Sequence, residues 1–135
     1  MTWLRSIAVI VGFGLVVALS GCGNGPPEVA GAAGGGGPTI GTAGATGIGT
    51  PAKTVSATAD LKFAPTATSV KTGDVIQWTN TGSVPHNVTF DSYPDLTSQN
   101  MAQGDTWEVK ITVAGTYPYH CTIHPGMDGQ ITVAG

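Results

Sequence analysis

The chain has 135 residues, 10% of them charged, and a formal net charge of −3 at pH 7. That length holds one ordinary domain and excludes a large enzyme. Five Lys and Arg residues, none of them in a run, exclude a surface built to neutralise a phosphate backbone, so nucleic acid is not an expected partner.

At the start of the chain Arg5 precedes an uncharged apolar run over residues 6–19, and small residues follow it. This order predicts an export signal over residues 1–21. The run is about fourteen residues long, short of the roughly 20 that cross a bilayer as a helix, so a retained transmembrane anchor is the second reading. The sequence LSGC at residues 19–22 resembles the bacterial lipobox. That resemblance implies a lipoprotein acylated on Cys22 and facing the periplasm or the cell exterior, with about 0.8 kcal/mol of membrane affinity for each buried methylene. The other reading of Cys22 is a disulfide to Cys121, which export permits. Acylation instead leaves Cys121 as the one thiol of the mature chain, and a lone exported thiol calls for a role.

Residues 22–53 are rich in Gly, Ala, Pro and Thr, lack aromatic side chains and carry almost no charge. Such a segment buries too little apolar surface to offset its ordering entropy, which predicts a flexible tether with a typical span on the order of 30 Å. The folded domain is expected over residues 54–135. There the texture changes to short β-branched and aromatic runs between turn residues: TVSATADLKF, ATSVK, VIQWTN, HNVTF, WEVKITV, TYPYHC and QITVAG. About seven to eight strands with no sustained helical periodicity predict an all-β sandwich, with one short helical turn allowed in SYPDLTSQNM. Alternation sends Ile76 and Trp78 inward and Val75, Gln77 and Thr79 outward, and on WEVKITV it sends Trp107, Val109, Ile111 and Val113 inward and Glu108 outward. Both tryptophans are expected to be core and nothing more.

The stretch YPYHCTIHPGM, residues 117–127, carries the chemistry. Alternation puts Tyr117, Tyr119 and Cys121 on the inner face and His120 on the outer one. The Pro125–Gly126 step then favours a tight turn that brings His124 and Met127 in front of the cysteine. His86, fixed after Val84–Pro85 at the start of another predicted strand, is the remaining imidazole. Two histidines and a cysteine in a plane with a weak axial methionine form the donor set of a blue-copper site: soft sulfur suits Cu(I) and imidazole suits both oxidation states. Zinc could use the cysteine and the two histidines but gains little from methionine. Taken singly, a buried cysteine or methionine is more often core filler.

With PHNV around His86, CTIHPGM at residues 121–127 and the upstream FAPTATSVKTGDVIQWTN, the domain resembles the cupredoxin family, the small blue-copper proteins that include plastocyanin, amicyanin and pseudoazurin. The resemblance covers most of residues 54–135 and neither signal nor tether. It implies a Greek-key β-sandwich and one type 1 copper ion held by His86, Cys121, His124 and Met127, with Asn87 and Thr122 tying the two ligand loops together. It further implies a non-enzymatic, monomeric carrier of single electrons between redox proteins such as cytochromes or a membrane oxidase or reductase. Electrons are expected to cross at His124 through an apolar patch of Val84, Pro85, Pro125 and Gly126, with His120 as a second exit beside Cys121 and Asp91 and Asp95 as the nearest approach to an acidic cluster. The competing reading is a copper storage or delivery lipoprotein, although such proteins favour exposed and repeated ligands. A multicopper enzyme would need metal centres for which no ligands remain.

Overall fold

The computed structural model describes residues 40–135; the expected export signal, the LSGC stretch with Cys22 and the first part of the expected tether lie outside them. The described residues form two five-stranded sheets packed face to face, with no helix among them. One sheet has the order β1 (Gly41–Gly44), β8 (Thr106–Ile111), β5 (Val75–Asn80), β2 (Pro51–Ala57), β3 (Phe63–Ala64). The other runs β4 (Ala67–Lys71), β10 (Asp128–Ala134), β9 (Gly115–His120), β6 (Thr89–Phe90), β7 (Tyr93–Thr97). Ten strands replace the seven or eight expected. TVSATADLKF splits into β2 and β3 around a turn, where the Thr58 and Leu61 amides donate to the carbonyls of Lys62 and Thr58, and two further strands come from segments whose composition hid them.

The core follows from side-chain alternation. Ile76, Trp78, Val109 and Ile111 from the first sheet are fully enclosed and Trp107 nearly so; Tyr119, Phe90 and Ile131 from the second close over them. Trp78 sits at the centre, with ring centroids 5.3 Å from Tyr119, 5.5 Å from Trp107 and 5.9 Å from Phe90. Edge-on and tilted packing of this kind adds to the area buried.

Three expectations are corrected. Residues 40–53 are not tether: β1 pairs antiparallel with β8, β2 already begins at Pro51, and Ile40 and Ala43 are buried. SYPDLTSQNM holds no helical turn but the edge strand β7, which pairs Thr97 with Thr89 and buries Leu96 while Pro94 and Asp95 face solvent. Glu108, assigned outward, is 2% exposed, because the segment between β1 and β2 crosses that face.

Polarity along the strands fixes where the site lies. β5 ends at Asn80, β9 at His120 and β2 at Ala57, while β8 starts at Thr106 and β10 at Asp128, all at one pole of the sandwich. The turn at Thr72–Asp74 and the end of β10 mark the other, joined by the Thr72 amide donating to the Ala134 carbonyl.

Candidate metal centre

Two loops bring the site residues together at the first pole. The loop after β5 delivers His86, held in register by a two-way backbone exchange with Met101: 3.1 Å from the His86 N–H to the Met101 carbonyl and 2.7 Å in return. Asn80, fully buried, shapes that loop. Its amide nitrogen donates to the carbonyls of Val84 and Met101, and its oxygen accepts from the Gly82 N–H, all at 2.8 Å. Gly82 is required there, since a Cβ would lie 2.9 Å from the Ala59 backbone nitrogen.

The loop after β9 delivers the other groups. Cys121 is buried, Met127 is buried and His124 is half-buried. The Cys121 N–H donates to the Met127 carbonyl at 2.9 Å and the Met127 N–H to the His124 carbonyl at 3.2 Å, closing the loop on itself. Gly126 makes this turn with φ of +80°, a left-handed conformation that glycine adopts without strain. Alternation along β9 is as expected, with Tyr117, Tyr119 and Cys121 inside and His120 turned to solvent.

His86, Cys121 and His124 come together, each offering one donor atom and all within 4.8 Å of one another. His124 Nδ1 stands 3.6 Å from Cys121 Sγ, and the two imidazole centroids are 4.8 Å apart. His86 is fully enclosed and neither ring nitrogen has a hydrogen-bond partner. Orphaned buried nitrogens are costly unless something else binds them. Burial, reinforced by the neighbouring His124, lowers the His86 pKa below its usual value and so favours the neutral ring, which has a lone pair to donate. A thiol and two imidazoles brought this close together fit copper.

Asn87 and Thr122 also meet. The Asn87 side chain donates to Thr122 Oγ1 at 2.6 Å and accepts from the Thr122 N–H at 2.8 Å, while the Asn87 backbone N–H points at Cys121 Sγ, 3.5 Å away. The histidine loop and the cysteine loop are thereby laced together. His120 lies outside the cluster, on the flank, with Nδ1 2.6 Å from an oxygen of Asp91. Asp95 sits on the edge strand β7.

Sequence reasoning missed Asn80, Met101 and Leu61. Asn80 reads as an ordinary strand residue followed by a turn, and Met101 as part of a polar loop. Leu61, on a turn with φ of +57°, joins Val84 and Ile123 as the large hydrophobic side chains that the described residues leave exposed, and all three stand on the metal-side loops together with exposed Pro85, Pro125 and Gly126.

Comparison with known proteins agrees with this geometry. The family described as copper binding proteins, plastocyanin/azurin, matches residues 51–134. Among curated relatives, amicyanin-alpha of Methylorubrum extorquens is 39% identical over 79 residues, covering 56% of this chain and 66% of that protein. Amicyanin of Paracoccus denitrificans is 37% identical, covering 56% and 60%, so the chain spans about two thirds or less of the length of these two relatives. Plastocyanin of Scenedesmus fuscus is 35% identical over 85 residues, covering 54% of this chain and 87% of that protein. A solved Cu(I) amicyanin with one methionine replaced by alanine superposes with a TM-score of 0.57 at 34% identity, over 62% of this chain and 82% of that one.

Proposed function

This chain belongs to the plastocyanin/azurin family of copper-binding proteins, and from that premise we propose that it carries single electrons between redox proteins at the outer face of a membrane. Copper is the metal that fits the site, and when bound it supplies a one-electron Cu(II)/Cu(I) couple. The observation that carries the reading is the close cluster of buried His86, buried Cys121 and half-buried His124 on a β-scaffold. A storage or delivery protein needs ligands that can open.

In this reading His86, Cys121 and His124 would hold the metal, with Met127 as a further and weaker sulfur donor. The Asn87 backbone N–H stabilises negative charge on Cys121 Sγ, and the Asn87–Thr122 pair keeps the two loops from drifting, the kind of outer support that tunes a metal site. No bond is made or broken, so no catalytic residue is assigned.

Partners dock at the apolar pole. Leu61, Val84, Ile123 and Pro125 exclude water around His124, the half-buried ligand whose ring is the shortest way out. Pro125→Glu is expected to slow electron transfer to a protein partner by about tenfold or more, the equivalent of about 1.4 kcal/mol of docking energy, while the copper spectrum stays unchanged. Stopped-flow kinetics against a small cytochrome check it, and an unaltered rate would remove this face as the docking site.

His120 offers a second exit, covalently next to Cys121 and tied to Asp91 on the surface. Over residues 54–135 three lysines face seven acids, about −4 in all, a balance that steers basic partners. His120→Ala is expected to slow a basic cytochrome several-fold while leaving small inorganic oxidants unaffected. Equal rates with every partner would remove this route.

Export and anchoring rest on the order of Arg5, the apolar run over residues 6–19 and LSGC. We read Cys22 as the acylated residue, with a donor or acceptor in the same compartment.

A further inference from the structure

β1 runs antiparallel to β8, with Gly41 opposite Ile111 and Gly44 opposite Glu108. Five residue steps separate Ile111 from Thr106, about 17 Å along the strand, and the ligand loops lie beyond the Thr106 end. Ile40, whose carbonyl accepts from the Thr112 N–H at 3.0 Å, is therefore at the pole opposite the metal centre. From Gly44 the chain climbs toward Thr106, whose hydroxyl donates to the Ala45 carbonyl at 3.5 Å, then folds back across the outer face of β8 and β5 to reach Pro51 beside Val75.

Three contacts make this segment fit closely. At Gly41, φ is +131° and a Cβ would fall 1.6 Å from the Lys110 carbonyl oxygen, so only glycine lets the strand approach. At Gly49 a Cβ would lie 2.9 Å from a Val75 methyl, and Val75 is buried although alternation turns it outward. Beneath the crossing the Glu108 carboxylate accepts from the Ile48 N–H at 3.0 Å and from Gln77 Nε2 at 2.8 Å. A carboxylate so deeply covered is tolerated because it is hydrogen-bonded.

We propose that residues 40–50 form a strap, pinned by Glu108, that fixes the departure point of the upstream chain at the pole opposite the metal centre and so presents the centre away from whatever that chain is attached to. Glu108 is a positioning residue in this device and plays no part in holding the metal. With Cys22 anchored in a membrane, the chain leading to it would join the domain away from the docking face and leave that face open to a soluble partner; this consequence rests on the lipoprotein reading above, whereas the strap does not.

The test uses the full-length protein in detergent, with its own copper as the probe. Backbone amide spectra of the Cu(I) and Cu(II) forms are expected to show signals of Ile40 to Gly44 at undiminished intensity in both, with strand-like shifts, while those of His86, Cys121 and His124 vanish in Cu(II). Loss of the Ile40 and Gly41 signals in Cu(II), or coil-like shifts for them, would overturn the proposal. In hydrogen exchange the Ile48 amide is expected to be protected, and in Glu108→Ala to exchange about 10- to 100-fold faster, the loss of one bond to a charged acceptor, with the copper resonance spectrum unchanged. An unprotected Ile48 amide in the unaltered protein, or equal exchange in the variant, counts against the strap. The unaltered protein decides the question even where Glu108→Ala does not fold, and Glu108→Gln, which keeps one acceptor oxygen, should fall between the two. The mass of the Cys22 peptide is read separately: a bare thiol removes the membrane consequence and leaves the strap standing.

Discussion

Cys121→Ser is expected to abolish the intense thiolate-to-copper absorption and the narrow copper hyperfine splitting that the unaltered protein should show on addition of Cu(II), and to weaken copper binding by more than about a hundredfold. Disturbing a group that only supports a ligand typically costs 10- to 100-fold, and here the ligand itself is lost. Cys121 is the one cysteine among the described residues, so no other thiol there can replace it. A serine hydroxyl ionises far less readily and is a harder donor, poorly matched to Cu(I). The metal-free variant should still fold, since Cys121 lies just past the end of β9 and its backbone bond to the Met127 carbonyl does not involve the sulfur. Retained absorption in the variant would disprove the ligand assignment. An unaltered protein that stays colourless and exchanges copper rapidly would instead favour storage or delivery.

The chemistry was legible because it is local. CTIHPGM places a thiol, an imidazole and a thioether on one turn, which the backbone bonds from Cys121 to Met127 and from Met127 to His124 close on itself. β4 and β5 were also legible, residue for residue, since ATSVK and VIQWTN are bounded by turn residues on both sides. What stayed hidden depends on contacts distant in sequence. β1 is GTAG, which has no hydrophobic alternation to detect; it is a strand because β8 offers it an open edge and because Gly41 allows contact that any side chain would block. β7 carries Pro94 and Asp95, which weaken a strand signal, yet both are tolerated on an edge where they face solvent. Asn80 could not be identified from its neighbours alone, because one of its partners is the backbone carbonyl of Met101, which only the fold brings to it.

Those long-range contacts connect the core to the site, and Trp78→Ala tests the connection. The side chain is fully buried and packs on Phe90, Trp107 and Tyr119 from both sheets. Removing it should cost about 3–5 kcal/mol, from lost transfer energy and the cavity left behind, against a total stability on the order of 5–15 kcal/mol for a domain. At about 4–8 °C per kcal/mol for a domain of this size, Tm should fall by roughly 12–40 °C, measured by near-ultraviolet circular dichroism of the metal-free protein. The effect should also reach the metal. Trp78 lies two residues before Asn80, which shapes the His86 loop, and its ring touches Tyr119, two residues before Cys121. Loosening that contact loosens both ligand loops at once, so the copper resonance of the variant should broaden into a mixture of environments while Glu108→Ala leaves it sharp. A drop in Tm of less than about 5 °C would mean that the aromatic cluster closes over the gap. An unbroadened resonance after the full drop would mean that Asn80 and the Asn87–Thr122 lacing hold the site without support from the core beneath it.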